Sequence, residues 1–392
     1  KQQLSSLDDE RKKELQQQID RLAGSKPEIP TVPVMLELPA DRHRDTFVMV
    51  KGNFLTPGEK LTAGIPQSFH PFPDGAPLNR LGAAMWLVDK NNPLTARVAV
   101  NRFWAQLFGT GIVETQEDFG TQGEPPSHPD LLDWLAVEFM RRDWDQKALL
   151  RLIVSSQTYC QSSRVAPELL ERDPRNRLLS RGPRFRLEAE LVRDQALALS
   201  GLLSRKLLGP SVFPPQPPGL WQAAFNGRDR TWATSTGDDR YRRGLYTFWR
   251  RTVPYPSMAT FDAPSREICA IRRIRTNTPL QAFVTLNDPV YVEAAQALAR
   301  RIVEQGGATT ADRVAFALDL CLARPATQRQ NDELARLLQS ELAHFRGDLE
   351  AARSLVAANG ASPPAGVDAA ELAAWTVVAN VLLNLDAVLT KG

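Results

Sequence analysis

Cysteine and histidine are scarce in this chain of 392 residues. The three cysteines, Cys160, Cys269 and Cys321, form neither a CxxC nor a CxxCH pattern, so this segment shows no zinc knuckle and no site for covalent haem. We predict that they do not form a structural disulfide framework. The four histidines include no HExxH and no pair spaced four residues apart, so the sequence predicts no metal site.

Long apolar runs and a large net charge are also missing. No run approaches the roughly 18 residues that a membrane-spanning helix needs, so we predict no membrane span. The formal charge of +3 is small for this length, and arginine outnumbers lysine, which favours bidentate pairing over a diffuse positive field. We therefore expect no nucleic acid as a partner. The polar start of the chain is no signal peptide, and we expect it to lie within a longer polypeptide whose targeting signal is upstream.

Hydrophobic periodicity predicts a mainly α fold, a multi-helix orthogonal bundle with a small N-terminal β-ribbon arm and a long irregular segment rich in proline and arginine. We predict a linking helix at 1–25 and a β-ribbon or extended arm at 26–78, with alternating runs at 32–38 and 46–50. A first helical unit follows at 79–165. The second helical unit, 166–392, includes the irregular segment at 205–276.

Capping residues and prolines predict the helix bounds. Asn79, Ser127 and Asp145 are predicted N-caps, Gly109 is a predicted terminator, and GASPPAG at 360–366 is a predicted flexible linker. The predicted helices are 80–89, 94–108, 128–142, 146–159, 186–204, 279–303 with a break near Pro289, 310–322, 328–345 and 369–389.

The stretch at 242–288 carries more arginine, proline and aromatic residues than a helical scaffold needs. A strand-like run at 244–249 precedes three prolines, an arginine cluster and a predicted helix start at Thr278-Pro279. Arginine forks next to a helix N-terminus suit an anion. We expect the part from Arg266 to Asp288 to line the principal pocket. The candidate ligand-binding residues are Trp249, Arg266, Glu267, Arg275, Asn277, Gln281 and Asp288.

The same cluster has a second interpretation. The arginines at 266–275 could form a salt-bridge net in which Asp262, Glu267 and Asp288 neutralise them and hold an irregular segment in place. Both interpretations stay open at this point, since a net of this kind can also frame a pocket.

An enzyme is the rival class of function. The glycine-containing loop at 114–126 holds Glu114, Glu117, Asp118 and Glu124, and two carboxylates held about 5 Å or about 6.5–9.5 Å apart would suit glycoside hydrolysis. Alternatively, these carboxylates cap the flanking helices and pair with arginines. The DFG string at 118–120 has no glycine-rich loop before it and no HRD partner, so we interpret it as coincidence.

Four stretches, at 79–139, 214–221, 242–267 and 275–289, resemble a planctomycete-specific domain of unknown function. They include NPLTARVAVNRFWAQLFGTGIVETQEDFGTQGEPPSHPDLLDWL, PPQPPGLW and RTNTPLQAFVTLNDP. In that family the domain lies near the C-terminus of long proteins that also carry a planctomycete cytochrome-c-like domain. The resemblance implies an extracytoplasmic location, periplasmic or at the cell surface, and haem c in an upstream domain. It brings no assigned reaction or catalytic residue. The missing CxxCH and metal-ligand spacing lead us to expect no cofactor in this segment.

Three functions are therefore expected in order of preference. The first is an extracytoplasmic, non-haem domain of a cytochrome-c-linked multidomain protein that binds a glycan or another anion, as in polysaccharide utilisation, or docks a partner such as its own upstream domain. The second is a glycan-active enzyme that uses the carboxylates at 114–124. The third is a structural module that presents the haem domain.

Overall fold

A computed structural model describes residues 2–25, 31–224, 231–357 and 367–392. The chain divides into two compact units, Lys1–Asn92 and Pro93–Gly392. The linker predicted at 360–366 lies outside the described residues. Among the helices in these ranges, none combines the length and the apolar character needed to cross a membrane.

Helices dominate both units, which confirms the mainly α prediction. The elements of the smaller unit are α1 Gln2–Ser25, β1 Thr46–Met49, β2 Pro57–Leu61 and α2 Arg80–Leu87. Those of the larger unit are α3 Thr95–Phe108, α4 Pro129–Arg141, α5 Gln146–Val154, α6 Pro167–Arg172, β3 Phe185–Arg186, α7 Ala189–Ser200, α8 Leu220–Ala224, α9 Pro256–Thr260, α10 Pro279–Asn287, α11 Pro289–Gln305, α12 Thr310–Leu322, α13 Gln328–Gly347, α14 Leu349–Ala357, α15 Ala369–Leu383, α16 Asp386–Leu389 and β4 Thr390–Lys391.

The predicted β-ribbon is present, but one of its strands was predicted in the wrong place. Strand β1 pairs in antiparallel fashion with β2, and the run at 32–38 has no strand partner among the described residues. A tight turn favours the observed pairing, because the backbone N–H of Val50 donates to the carbonyl of Thr56 at 3.1 Å. In the rejected run, Pro33 has no N–H to donate to a ladder.

Helix α15 is the centre of the larger unit. It is apolar on all sides, as expected of a fully buried helix, and it packs against α11, α13 and α14. Trp375 on this helix is 1% exposed. A second buried cluster joins α3, α4 and α5 through Val100, Trp104, Phe139 and Ile153. The candidate site lies at the end of α3 near this cluster.

Several helix bounds agree with their predicted caps. Asn79 accepts hydrogen bonds from the backbone of Leu81 and Gly82, and Asp145 accepts one from Ala148. Gly109 ends α3 with a φ of 83°, in the left-handed region that glycine tolerates. The break predicted near Pro289 separates α10 from α11.

Four predicted helix features were wrong. His128 occupies the N-cap position of α4, while the Ser127 hydroxyl lies 3.0 Å from His128 Nδ1. The helix predicted at 186–204 ends at Ser200, because Gly201 turns into the left-handed region with a φ of 80°. The helix predicted at 146–159 ends at Val154. The one predicted at 369–389 divides into α15 and α16 at Asn384, whose side-chain oxygen accepts a hydrogen bond from the Thr285 hydroxyl at 2.7 Å.

The run at 244–249 is not a strand, contrary to prediction. Residues Gly244–Tyr246 form a 3₁₀ turn, and only Thr247 makes an isolated bridge, to Val212. The backbone here lies directly on α7. A Cβ on Gly244 would be 2.8 Å from the Cα of Glu190, and the Gly244 N–H donates to Asp194 Oδ1 at 2.5 Å. Packing against a helix therefore replaces pairing with a strand.

Arg242 pins the irregular segment from inside. Its side chain is fully buried, and its guanidinium donates to the carbonyls of Pro210, Lys206 and Leu208 at 3.2, 3.2 and 2.5 Å. The same group lies 3.6 Å from the ring centroid of Tyr246. One cation therefore satisfies several carbonyls of a loop that has little regular backbone pairing.

We expect Arg242→Ala to destabilise the protein by roughly 2–4 kcal/mol, because three partly buried hydrogen bonds to carbonyls are lost and the Tyr246 ring loses its contact. Arg242→Lys should restore little of this, since one ammonium cannot reproduce the planar fork. Chemical denaturation measures the change, and Arg251→Ala at an exposed position is the control. Equal unfolding midpoints for the two alanine variants would contradict the role of Arg242.

The cysteines offer a second check of the fold. All three are free; Cys160 and Cys269 are exposed and Cys321 is buried on α12, where burial raises its thiol pKa to about 12. We expect a thiol reagent to modify two cysteines rapidly in the native protein and the third only in denaturant. A triple replacement by serine or alanine should still fold. Rapid modification of all three thiols, or an unfolded triple variant, would show this account to be wrong.

Candidate functional site

Two adjoining cavities lie in the larger unit, where α3 ends. The first, called here the Arg181 cavity, has a volume of about 320 Å³, and the second, called the Arg273 cleft, has about 300 Å³. They share Gly109, Thr110 and Phe185 as lining residues. Both sizes are at the lower end of the range of about 300–1,000 Å³ for small-molecule sites. Together we call them the arginine groove.

Four guanidinium groups line the Arg181 cavity, and no Asp or Glu is among its described lining residues. The four are Arg175, Arg177, Arg181 and Arg184. The carboxylates that pair with them lie outside this lining: Glu114 pairs with Arg175 at 3.5 Å and with Arg177 at 2.5 Å, and Asp386 pairs with Arg184. The cavity itself therefore presents only positive side-chain charge.

Arg181 differs from the other three. It is 9% exposed, its Nη2 donates to the carbonyl of Pro174 at 3.0 Å, and its Nη1 is buried with no hydrogen-bond partner among the described residues. A buried donor without a partner costs about 1–3 kcal/mol. An acceptor placed in the cavity could recover that free energy.

The wall that carries these arginines is irregular but well braced. The Asp173 carboxylate accepts the backbone N–H groups of Arg177 and Leu178, each at 2.8 Å. The Asn176 side chain donates to the carbonyl of Arg181 at 2.9 Å. Gly182 packs so closely that a Cβ would lie 2.3 Å from the carbonyl oxygen of Gln161. The segment is therefore held in shape before any ligand arrives.

The Arg273 cleft combines cations and anions. Its described charged lining residues are Glu114, Glu188, Arg272, Arg273 and Arg275, and it also includes Gln106, Thr110 and Gln116. Arg273 makes a two-pronged contact with Glu190, at 2.6 and 3.2 Å, and lies 3.4 Å from Glu188. Across the whole groove, seven arginines face two glutamates, a formal charge of +5 for the described lining residues.

Burial and ion pairing have opposite effects on the pKa values of Glu190 and Arg273. Burial opposes ionisation of Glu190, but the hydrogen bonds and charge of Arg273 outweigh it, and the pKa of Glu190 lies below its ordinary value. For Arg273, burial disfavours the charge, but Glu190 outweighs it and raises the guanidinium pKa. Both groups are thus held in their charged forms.

Arg275 ties the cleft to the end of α3. Its Nη1 donates to the carbonyl of Gly109 at 3.1 Å, and its guanidinium lies 4.4 Å from the ring centroid of Phe185. The Glu188 carboxylate is 3.7 Å from its Nη2. Burial lowers the pKa of the Arg275 guanidinium, and the charge of Glu188 partly offsets this effect. Arg275 thus fixes the position of Gly109, which both cavities share.

Of the seven candidate ligand residues, only Arg275 lines the groove. Trp249 and Arg266 form a separate pair, with the guanidinium 5.0 Å from the ring centroid. Glu267 and Asn277 are exposed on the surface. The expected principal pocket therefore includes Arg275 but not Arg266 or Asn277 among its described lining residues.

The other two candidates have structural contacts. Gln281 is fully buried, and its amide donates to the carbonyl of Thr260 at 3.1 Å and to Thr276 Oγ1 at 3.2 Å. It borders a cavity of only about 10 Å³. Asp288 caps α11 by accepting the N–H of Val290 at 2.9 Å, and burial raises its pKa.

The salt-bridge net exists with different carboxylates from those expected. Glu188 and Glu190, at the start of α7, pair with Arg273 and Arg275. Asp262, one of the expected partners, instead accepts the backbone N–H of Thr276 at 2.7 Å. The sequence offered no local signal, because the paired residues are more than 80 positions apart.

Of the four loop carboxylates proposed for catalysis, Glu114 lines the Arg273 cleft, and the other three do not join it there. Glu117 forms an exposed pair with Arg272 at 3.1 Å, and Asp118 Oδ1 accepts the N–H of Gly120 at 2.7 Å. Glu124 is exposed. None of the three is among the described lining residues of the groove. Within the described ranges there is also no group of three or more metal-ligating side chains.

Sequence reasoning missed the arginines of the Arg181 cavity, although a signal was present. The stretch at 172–186, RDPRNRLLSRGPRFR, contains six arginines in fifteen residues. Its density matches that of the cluster at 266–275. The density marks a second candidate segment, although nothing in the local pattern joins the two segments into one site.

We expect Glu190→Gln to destabilise the fold by about 1.5–3 kcal/mol, because a half-buried pair loses its charge. Glu117→Gln, which disrupts the exposed pair with Arg272, should cost only about 0–1 kcal/mol and is the control. The folded pKa of Glu190 is lowered, so its stabilisation is present above the ordinary pKa of 4.5 and is lost as the pH falls through the lower folded value. Stability measured at several pH values should therefore fall less in acid for Glu190→Gln. Parallel curves for wild type and variant would contradict this.

Comparison with known proteins gives a family but no function. The chain matches the model of the family described as PSD1, a protein of unknown function (DUF1553), over residues 79–338. No curated protein and no solved structure matches it. The matched range includes α3, the Arg181 cavity's arginines and the Arg273 cleft's arginines, and it spans more than half of the chain. The chain therefore belongs to the DUF1553 (PSD1) family of proteins of unknown function.

Proposed function

We propose that this domain binds an anionic ligand, an acidic glycan, in the arginine groove. The observation that carries the proposal is the Arg181 cavity, where four guanidinium groups face a space with no carboxylate among its described lining residues. Arginine forks match carboxylate and sulfate groups with two parallel hydrogen bonds. The braced wall at 173–182 lowers the entropy that binding would otherwise cost.

Apolar surface beside the arginines supports a sugar rather than a bare ion. Trp104, Phe108 and Phe185 line the Arg181 cavity. Trp104 and Phe108 stack with their ring centroids 4.1 Å apart. An aromatic wall next to charged forks suits a ligand that has both C–H faces and an acidic group.

The proposal includes a setting outside the cytoplasm. The domain would be the non-haem, ligand-binding part of a longer protein that carries a cytochrome-c-like domain upstream, with haem c there and none in this segment. What supports this is the resemblance of 79–139 and 242–267 to the planctomycete domain found in such proteins. Fractionation of cells that make the full-length protein, with haem staining, tests this setting. A haem-free protein in the cytoplasmic fraction would contradict it.

The other functions have less support in the geometry. A glycan-active enzyme that uses the loop carboxylates at 114–124 remains an alternative: Glu114 lines the Arg273 cleft, whereas Glu117, Asp118 and Glu124 lie outside the described lining of the groove. Docking of a partner and a purely structural role also remain predictions. No observation on the described residues favours them over binding in the groove.

We expect calorimetric titration with an oligogalacturonate and a heparin-derived tetrasaccharide to show binding to at least one of them, and to weaken as salt is added. Arg181→Gln and Arg184→Gln should each weaken it about tenfold, the loss of one charged hydrogen-bonding group, or roughly 1.4 kcal/mol. Arg184 is exposed, so we expect Arg184→Gln to fold even if Arg181→Gln does not. Arg346→Gln on α13 makes the same charge change at an exposed site and is the control. Unchanged binding in folded Arg181→Gln and Arg184→Gln proteins, or no binding by the wild type, would refute the proposal.

A further inference from the structure

We infer that the groove binds two different parts of one ligand. The Arg181 cavity takes an acidic group, and the Arg273 cleft takes the hydroxyl groups of an adjacent neutral sugar unit. This inference rests on the proposed function and makes its ligand more specific. It predicts a mixed acidic and neutral glycan rather than a uniform polyanion.

The Arg273 cleft is less suited to an anion than the Arg181 cavity, because two carboxylates, Glu114 and Glu188, stand in its lining beside its arginines. Glu190 accepts two hydrogen bonds from Arg273, and Glu117 forms an ion pair with Arg272. Glu188 lies close to both Arg273 and Arg275. An anion entering here would compete with these carboxylates and would meet Glu188 and Glu114 in the lining. Like charges at this range disfavour binding.

The same lining suits hydroxyl groups, which both donate and accept. Carboxylate oxygens of Glu114 and Glu188 can only accept, and the guanidinium groups can only donate. Gln106, Gln116 and Thr110 add side chains that do both. A sugar ring with several hydroxyls can satisfy such a mixed set, whereas a sulfate or carboxylate offers acceptors alone.

The Arg181 cavity differs in its lining. Its described lining contains four guanidinium groups and no carboxylate; Arg175, Arg177 and Arg184 pair with carboxylates outside that lining, and the Arg181 Nη1 has no partner among the described residues. An acceptor-only group therefore fits this cavity best. The two cavities thus prefer different halves of one molecule.

The two cavities meet at Gly109, Thr110 and Phe185, which line both of them. The Phe185 ring packs directly on the backbone of Gly109, where a Cβ would be 2.7 Å from its Cδ1. Thr110 is exposed. Two linked sugar units would span this boundary.

The test uses four probes in titrations of the folded protein: inorganic sulfate, glucuronic acid, cellobiose, and a disaccharide of one glucuronate and one neutral glucose. We expect the mixed disaccharide to bind at least tenfold more tightly than glucuronic acid. Cellobiose should bind more weakly than either. Equal affinity for glucuronic acid and the mixed disaccharide would overturn the inference.

The direction in which Glu188→Gln changes the affinity for each probe distinguishes a hydroxyl site from a second anion site. This variant removes an acceptor and a negative charge from the cleft, so we expect it to weaken the mixed disaccharide at least fivefold while leaving glucuronic acid unchanged or tighter. If the cleft instead takes a second anion, the same variant will tighten the binding of every acidic probe, and the inference fails while the proposed function stands. Gln116→Ala does not touch the ion pairs and is the milder variant, expected to weaken only the disaccharide, about threefold.

Arg181→Gln tests anion binding in the Arg181 cavity separately from hydroxyl binding in the Arg273 cleft. We expect it to weaken glucuronic acid, sulfate and the mixed disaccharide alike, because the acidic group loses its site. If Arg181→Gln and Arg184→Gln leave glucuronic acid and sulfate binding intact, the proposed function itself fails. Thermal unfolding of each variant confirms that the protein compared is folded.

Discussion

The pairing of Glu188 and Glu190 with Arg273 and Arg275 is the interaction on which the site depends. The two glutamates stand at the start of α7, a helix with buried contacts to the main core, and the two arginines belong to a segment with no regular structure. Through Arg275 the same segment reaches the carbonyl of Gly109 at the end of α3. Three parts of the chain that are far apart in sequence are therefore held around one groove by charge and hydrogen bonds.

Such a net could be purely structural, and in part it is. Half-buried pairs of this kind contribute little net free energy compared with apolar packing, because removing the charges from water offsets most of their attraction. These pairs fix the position of the irregular segment against the start of α7. Glu188 and Glu190 pair with the arginines of one wall of the groove. Of the carboxylates that pair with the other wall, Glu114 lines the Arg273 cleft and Asp386 lies outside the lining, so seven arginines face two glutamates among the described lining residues.

The sequence predicted most helices well, because apolar periodicity and caps are local signals. Asp145, Gly109 and Pro289 acted where they were expected. Local signals failed where tertiary packing decided the backbone. The run at 244–249 has strand composition, yet Gly244 lies against Glu190 with no room for a Cβ and the run turns instead.

The site was less predictable than the fold. Arg275 was found because it stands in a dense cluster, but Arg266 and Asn277 share that cluster and lie outside the groove. Which arginines face a cavity depends on partners more than 80 residues away, and a single sequence gives no sign of such pairings. The wall at 173–182 was missed for a different reason: its arginine density was visible, but nothing in the local pattern connected it to the cluster at 266–275.

The most direct test of the central claim is hydrogen exchange of backbone amides with and without a saturating acidic oligosaccharide. If the groove is the binding site, slower exchange should appear together in three stretches: 106–116, 173–186 and 271–276. These stretches hold the shared boundary and both arginine walls. Protection confined to other surfaces, such as the ribbon at 46–61 or helix α13, would contradict the account.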